Sequence, residues 1–182
     1  RLESDLYRVS YVGDGKESVE STQAPATPQD DSQQARNLRK QLEESHGAPQ
    51  KGAVDFAWPY LKHEDRFIRY AARIAVEHQP VSQWESRALN EKDPQTLMQA
   101  MIALARHGKA GSRNAMLKSL TAIPYESLSE SQEIDLLRTF ELIVLRMGIP
   151  ETAVKAQIVN YLNPHYPANT NALNRNLSKV LV

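Results

Sequence analysis

The sequence predicts an all-α fold, a solenoid of about four helical hairpins, and two observations lead to this prediction. One pattern occurs twice, 28 residues apart: a segment ending in Leu, an Asp at a corner, and a helix rich in Ala and aliphatic residues. The matched positions are Leu61, Asp65, Ala72, Ile74, Ala75 and Val76, followed by Leu89, Asp93, Ala100, Ile102, Ala103 and Leu104. Helical periodicity also continues after this repeat. A recurring hairpin cannot bury its apolar face alone, so such hairpins stack.

The start of the chain has a different pattern. Residues 6–12 alternate with period two, and Tyr7, Val9 and Tyr11 share one face. This alternation predicts a short strand, which Gly13 and its neighbours would end in a turn. No second strand of similar strength follows, so we expect this strand to complete a sheet that the chain does not contain.

A polar linker is predicted between this strand and the helices. Residues 16–30 are rich in Ser, Thr and Gln and contain two prolines. Asp31 and Gln34 then have the spacing of a capping box, which predicts a helix start. We therefore expect two regions: 1–30 as strand and linker, and 31–182 as the helical-repeat domain.

Helical segments are predicted from periodicity, N-cap residues and prolines. They are residues 31–47, 52–63 with a division at Pro59, 65–78, 81–91, 93–107, 112–121, 130–147, 150–162 and 170–182.

The segment 65–78 has the strongest helical pattern. Apolar residues cover most of its circumference: Phe67, Ile68, Tyr70, Ala71, Ala72, Ile74, Ala75 and Val76. We expect this helix to be covered on both sides. Its remaining positions form one polar stripe of Arg66, Arg69, Arg73 and Glu77.

Composition excludes several functional classes. The 22 Lys and Arg residues balance 22 Asp and Glu residues, which argues against a dedicated polyanion binder. The absence of Cys excludes disulfides, thiolate zinc sites and a thiol nucleophile within this chain. None of the five His residues has the spacing of a metal motif. We expect no catalytic, cofactor-binding or metal site and no membrane span, and we expect Trp58 and Trp84 to be core residues.

The arginines of the polar stripe are the candidate interaction surface. Arg66, Arg69 and Arg73 would contact either a partner or the phosphates of a nucleic acid, or they would form the solvated edge of a packed helix. The positions aligned with them in the next repeat are Pro94, Leu97 and Met101. The charge does not continue along the solenoid, so we expect no nucleic-acid partner.

The repeated unit resembles a HEAT repeat. The strings LKHEDRFIRYAARIAVEH and LNEKDPQTLMQAMIALARHG both place an Asp at a corner before an Ala-rich helix that carries Arg. The resemblance covers about residues 50–148, although repeat spacings of 28 and 40 residues depart from the regularity of the family. It implies a HEAT-like α-solenoid.

A second resemblance concerns the context of the chain. The strings DLYRVSYVGDGKES, WPYLKHEDRFIRYAARIAVEHQP and YPANTNALNRNLSKVLV resemble the middle region of large exported planctomycete-type proteins. In those proteins a sugar-dehydrogenase-like β-propeller precedes HEAT-like helices, and a cytochrome c module can follow. The resemblance implies that residues 1–13 close a propeller blade, that the location is extracytoplasmic or periplasmic, and that the chain is a piece of a longer protein.

These observations favour a non-enzymatic scaffold or protein-interaction module in a larger exported multidomain protein. Its partners would be protein domains, most simply domains of the same full-length chain. The alternative is a solenoid nucleic-acid-binding protein or a DNA glycosylase-like enzyme.

Overall fold

The structure, a computed structural model, describes residues 29–182. Within this range the chain forms α-helices, short 3-10 turns and loops, and no strand occurs, which confirms the predicted all-α fold class. The predicted strand at residues 6–12 and the linker up to residue 28 lie outside the described residues.

Nine α-helices occur between residues 29 and 182. They are α1 (Gln29–Glu43), α2 (Ala53–Ala57), α3 (Arg66–Glu77), α4 (Glu85–Leu89), α5 (Pro94–His107), α6 (Arg113–Leu120), α7 (Glu130–Met147), α8 (Thr152–Leu162) and α9 (Asn171–Leu181).

The helices pack in two layers. In one layer α1, α3, α5, α7 and α9 contact each other in chain order. In the other layer, α2 packs on α3, α4 on α5 and α6 on α7, while α8 contacts both α6 and α9. Each helix therefore contacts helices that are close to it in sequence, as expected for a solenoid-like stack of hairpins. The apolar core runs between the layers.

The two copies of the sequence repeat occupy equivalent places. Asp65 and Asp93 are the N-caps of α3 and α5, and each carboxylate accepts a hydrogen bond from a backbone N–H of the first turn. Pro94 follows Asp93 at the first helical position, where its missing N–H costs no hydrogen bond. Ala72 and Ala100 are both fully buried between the layers. The repeat thus predicted both helix starts and these two core positions correctly, while its positions Ile74, Leu89 and Ile102 are only half-buried.

Both tryptophans lie in the core, as predicted. Trp58 and Trp84 are buried. The indole Nε1–H of Trp58 donates to Glu91 Oε2 at 2.7 Å, and that of Trp84 donates to the Gln79 carbonyl at 3.2 Å. A buried indole N–H without a partner is costly, so these acceptors are part of what makes the positions suitable for Trp.

Three helix boundaries refine the prediction. Helix α1 begins at Gln29, so Asp31 lies inside its first turn and is not the N-cap. The segment with Pro59 is divided as expected: α2 ends at Ala57 and a 3-10 turn continues over Trp58–Lys62. The segment 81–91 was expected to be one helix, and this was wrong, because a 3-10 turn over Val81–Gln83 precedes α4.

Gly148, which ends α7, has a backbone that only glycine adopts at little cost. Its φ is 86°, and a Cβ there would lie 3.4 Å from Arg113 Nη1, which donates to the Met147 carbonyl at 2.7 Å. We expect Gly148→Ala to lower the free energy of unfolding by about 1–2 kcal/mol. The control is Gly111→Ala, since Gly111 has open space around its Cβ position and no positive φ. Urea unfolding that shows equal losses for both variants would contradict this account.

Candidate interaction surface

Arg66 lies in the first turn of α3 and is exposed. Its guanidinium carbon lies 4.8 Å from the centroid of the Phe67 ring, a cation–π distance. No carboxylate of the described residues forms an ion pair with it. Arg66 is therefore a cation on the surface that has no acidic partner within the described part of the chain.

Arg69 is held by the backbone of the preceding corner. Its Nη1 donates to the carbonyls of His63 at 2.6 Å and Glu64 at 2.8 Å. The side chain thus satisfies two carbonyls that lie just before α3. Its charge also reaches Asp135 of α7: burial raises the pKa of Asp135, while the charges of Arg69 and Arg138 oppose that rise. Arg69 is therefore a structural residue of the corner before α3.

Arg73 belongs to a buried ionic cluster, which we call the Glu77 cluster. Its Nε lies 3.2 Å from Glu77 Oε1, an ion-pair distance at which the two atoms are not aligned as a hydrogen bond. Arg106 Nε and His107 Nε2, both from α5, lie 2.9 and 3.2 Å from Glu77 Oε2. The side chains of Arg73 and Glu77 are only 14% and 3% exposed. The cluster therefore ties α3 to α5.

The pKa of Arg73 reflects both its burial and the charges of the Glu77 cluster. Burial lowers the pKa of Arg73, and the neighbouring charge of Arg106 lowers it further, whereas Glu77 opposes both effects. Arg73 Nη1 also lies 3.4 Å from Gln99 Oε1, a weak hydrogen bond to α5. Arg73 is thus used inside the fold.

The three predicted site residues therefore do not share one environment. Among Arg66, Arg69 and Arg73, the structure leaves Arg66 exposed and uses the other two to hold the corner and the α3–α5 contact. Arg66 has the exposure expected of the solvated edge of a packed helix, whereas Arg73, paired with Glu77, is largely buried and does not. That the stripe contacts a partner stays a prediction.

An apolar groove lies next to Arg66, between α1 and α3. We call it the α1–α3 groove, and its volume is about 610 Å³. Its lining residues are Arg39, Glu43, His46, Arg66, Phe67, Tyr70, Ala71 and Ile74.

Two aromatic side chains in this groove are exposed to solvent. Phe67 and Tyr70 are 55% and 56% exposed, and Ile74, one turn further along α3, is half-buried. The expectation that α3 is covered on both sides is therefore wrong at these positions. Helix α1 packs on α3 with Leu42 in the core. His46 Nε2 forms a hydrogen bond with the Ala71 carbonyl oxygen at 2.9 Å. This contact leaves the side of α3 that carries Phe67 and Tyr70 uncovered by the described residues.

Neither a metal-ligand cluster nor a membrane-spanning helix occurs among the described residues. Between residues 29 and 182, no three His, Asp or Glu side chains converge in a way that could hold a metal ion. No helix in that range combines the length and the apolar character that a bilayer crossing requires.

Comparison with protein-family models, with the sequences of curated proteins and with solved structures finds no match to this chain.

Proposed function

We propose that this chain is a non-enzymatic helical-repeat scaffold and protein-interaction module within a larger exported protein. In this proposal the α1–α3 groove binds a protein segment, most simply a part of the same full-length polypeptide. The observation that carries the proposal is the exposure of Phe67 and Tyr70 side by side in a groove of about 610 Å³. The extracytoplasmic or periplasmic location comes from the sequence resemblance described above.

The chemistry of the groove supports a protein occupant. Aromatic residues and Arg are enriched in protein–protein interfaces, where they bury large areas at a small cost in side-chain entropy. Phe67 and Tyr70 provide the aromatic surface, and Arg66 provides a cation at the rim. Exposed aromatic residues that lie next to each other in a concavity are typical of binding surfaces, whereas single exposed apolar residues are normal on any protein.

A photocrosslinking experiment tests the proposal. A benzophenone amino acid is placed at Phe67 in the full-length protein, expressed in its own host, and the crosslinked products are identified by mass spectrometry. Phe56 provides a matched control, because it is an aromatic residue of α2, 41% exposed and outside the groove. We expect a discrete crosslink from position 67, to another protein or to another part of the polypeptide, and none from position 56. Absence of any discrete product from position 67 would refute the proposal.

The alternative of a nucleic-acid-binding solenoid leads to a separate prediction. Arg69 and Arg73 are engaged by backbone carbonyls and by Glu77, so Arg66 alone of the three arginines is left for a phosphate contact, and the net charge of the chain is zero. We expect no binding to 20-base-pair DNA or to single-stranded RNA at physiological salt in a fluorescence anisotropy titration. A submicromolar affinity that weakens steeply with salt would favour the alternative.

A further inference from the structure

We infer that the occupant of the α1–α3 groove is a segment of this same chain, residues 6–12, with sequence LYRVSYV. The inference rests on the proposed function and names the partner of the groove. It replaces the expectation that residues 6–12 complete a sheet outside this chain, since one segment cannot occupy both places at once. Residues 6–12 lie outside the described residues, so their chemistry is taken from the sequence. Four properties agree: apolar character, spacing of side chains, tether length and charge.

The apolar face of the segment matches the groove in character and spacing. Phe67, Tyr70 and Ile74 follow one another along α3 over about 10 Å, given a rise of about 1.5 Å per residue. In an extended segment, Tyr7 and Tyr11 are separated by about 13 Å and lie on the same face as Val9. One face of the segment therefore presents two aromatic rings and an aliphatic side chain over nearly the length that the groove exposes.

The connection to α1 brings the segment to the groove at a high effective concentration. About sixteen residues, 13–28, join the segment to α1, and a flexible chain of that length has a root-mean-square span of roughly 20–24 Å. Arg39 and Glu43 of the groove lie about 15 and 21 Å along α1 from Gln29. A tether whose span matches the distance to its site gives an effective concentration on the order of millimolar. Modest contacts are then sufficient for occupancy.

An acidic pair before the segment can reach the groove cation that the described residues leave unpaired, although Arg1 and Arg8 balance Glu3 and Asp5, so that residues 1–12 carry no net charge. Arg66 has no acidic partner among the described residues, and Glu3 and Asp5 come just before the apolar segment. The other cation of the rim, Arg39, is already paired with Glu43 at 2.6 Å. An acidic flank next to an apolar segment therefore supplies the charge that Arg66 lacks.

Paramagnetic relaxation enhancement provides the test, because the chain contains no native cysteine. Ser10→Cys carries a nitroxide on the face opposite to Tyr7 and Tyr11, and amide signals are recorded from the full 182-residue protein. We expect strong loss of signal intensity for amides of α3 around Phe67 and Tyr70, and no loss for α8. Tyr7→Ser combined with Tyr11→Ser should restore those signals and leaves the sequence of the helical domain unchanged.

Two further samples separate the occupants. Phe67→Ser should also restore the α3 signals, whereas Leu145→Ser, a change at an exposed apolar residue outside the groove, should not. In a mixture of isotope-labelled protein without nitroxide and unlabelled protein with nitroxide, α3 should keep its intensity. Loss of α3 intensity in that mixture would mean that the groove binds a second copy, and would overturn the inference.

Failure of this inference is distinguishable from failure of the proposed function. If α3 shows no enhancement from position 10 while the benzophenone at Phe67 crosslinks to another protein or another region, the groove is an interaction site with a different occupant, and the inference is wrong. If both experiments are negative, the groove has no protein occupant and both proposals fail. Enhancement at α3 together with a crosslink from position 67 to residues 6–12 is the result that we expect.

Discussion

Replacing Ala72 by Asp is expected to lower the melting temperature by roughly 8–16 °C. Ala72 is fully buried in α3 and belongs to the apolar core between the two layers. A carboxylate placed there would have to lose its hydration or become protonated, and either costs several kcal/mol, on the order of 4 kcal/mol here. Total stability is typically about 5–15 kcal/mol, so part of the population would unfold near physiological temperature.

The matched control for this change is Ala115→Asp. Ala115 lies within α6 and is exposed, so the same substitution there keeps the carboxylate in water and changes mainly helix propensity, by less than about 1 kcal/mol. Thermal melts followed by circular dichroism at 222 nm measure both variants. Similar shifts for the two variants would mean that the buried face of α3 is assigned incorrectly.

Glu77→Gln is expected to be the second strongly destabilising substitution, by about 3 kcal/mol. Glu77 is the one carboxylate of the Glu77 cluster, and it faces Arg73, Arg106 and His107. The amide has nearly the same shape but no charge, so the guanidinium of Arg73 would stay buried without a compensating anion. The side chains of Arg106 and His107 are more exposed and lose less, because water can solvate them.

Two comparisons isolate the electrostatic origin of this loss. Glu141→Gln removes the carboxylate of a surface pair with Lys179, whose atoms lie 3.9 Å apart, and should cost less than about 1 kcal/mol. Replacing Glu77 by Leu together with Arg73 by Met removes both buried charges and should recover much of the stability lost in Glu77→Gln. Urea unfolding measures all three proteins. A loss for Glu77→Gln no larger than that for Glu141→Gln would contradict the central role of the cluster.

The sequence predicts the helices best where periodicity and end residues agree. Helix α7 begins and ends at the predicted residues, because Ser129 and Gln132 form a capping box and Gly148 ends the helix. The segment before α4 was less predictable, since its few residues hold too little periodic information to distinguish an α-helix from a 3-10 turn. Strong local patterns therefore determine the long helices, while short ones depend on packing.

The candidate interaction surface was harder to predict from the sequence than the helices. Periodicity places Phe67 and Tyr70 among the apolar positions of α3, and it does not distinguish a core residue from one that lines an open groove. It also places Arg73 on a polar stripe, but it does not show that the Glu77 carboxylate facing Arg73 is shared with Arg106 of α5, 29 residues further along the chain. Which apolar residues are left uncovered, and which charges are paired, follow from the angle and distance between helices.

The order of contacts between helices has a consequence for how the protein is made. Helices of the first layer touch their nearest neighbours in chain order, so the loops that folding must close are short, and closing them costs little chain entropy. Each hairpin can therefore pack on the one before it as soon as it leaves the ribosome, at a synthesis rate of about 5–20 residues per second. Among the described residues, α3 is the first-layer helix that packs on α1, so the packing of α1 in this layer is complete once α3 has been synthesised.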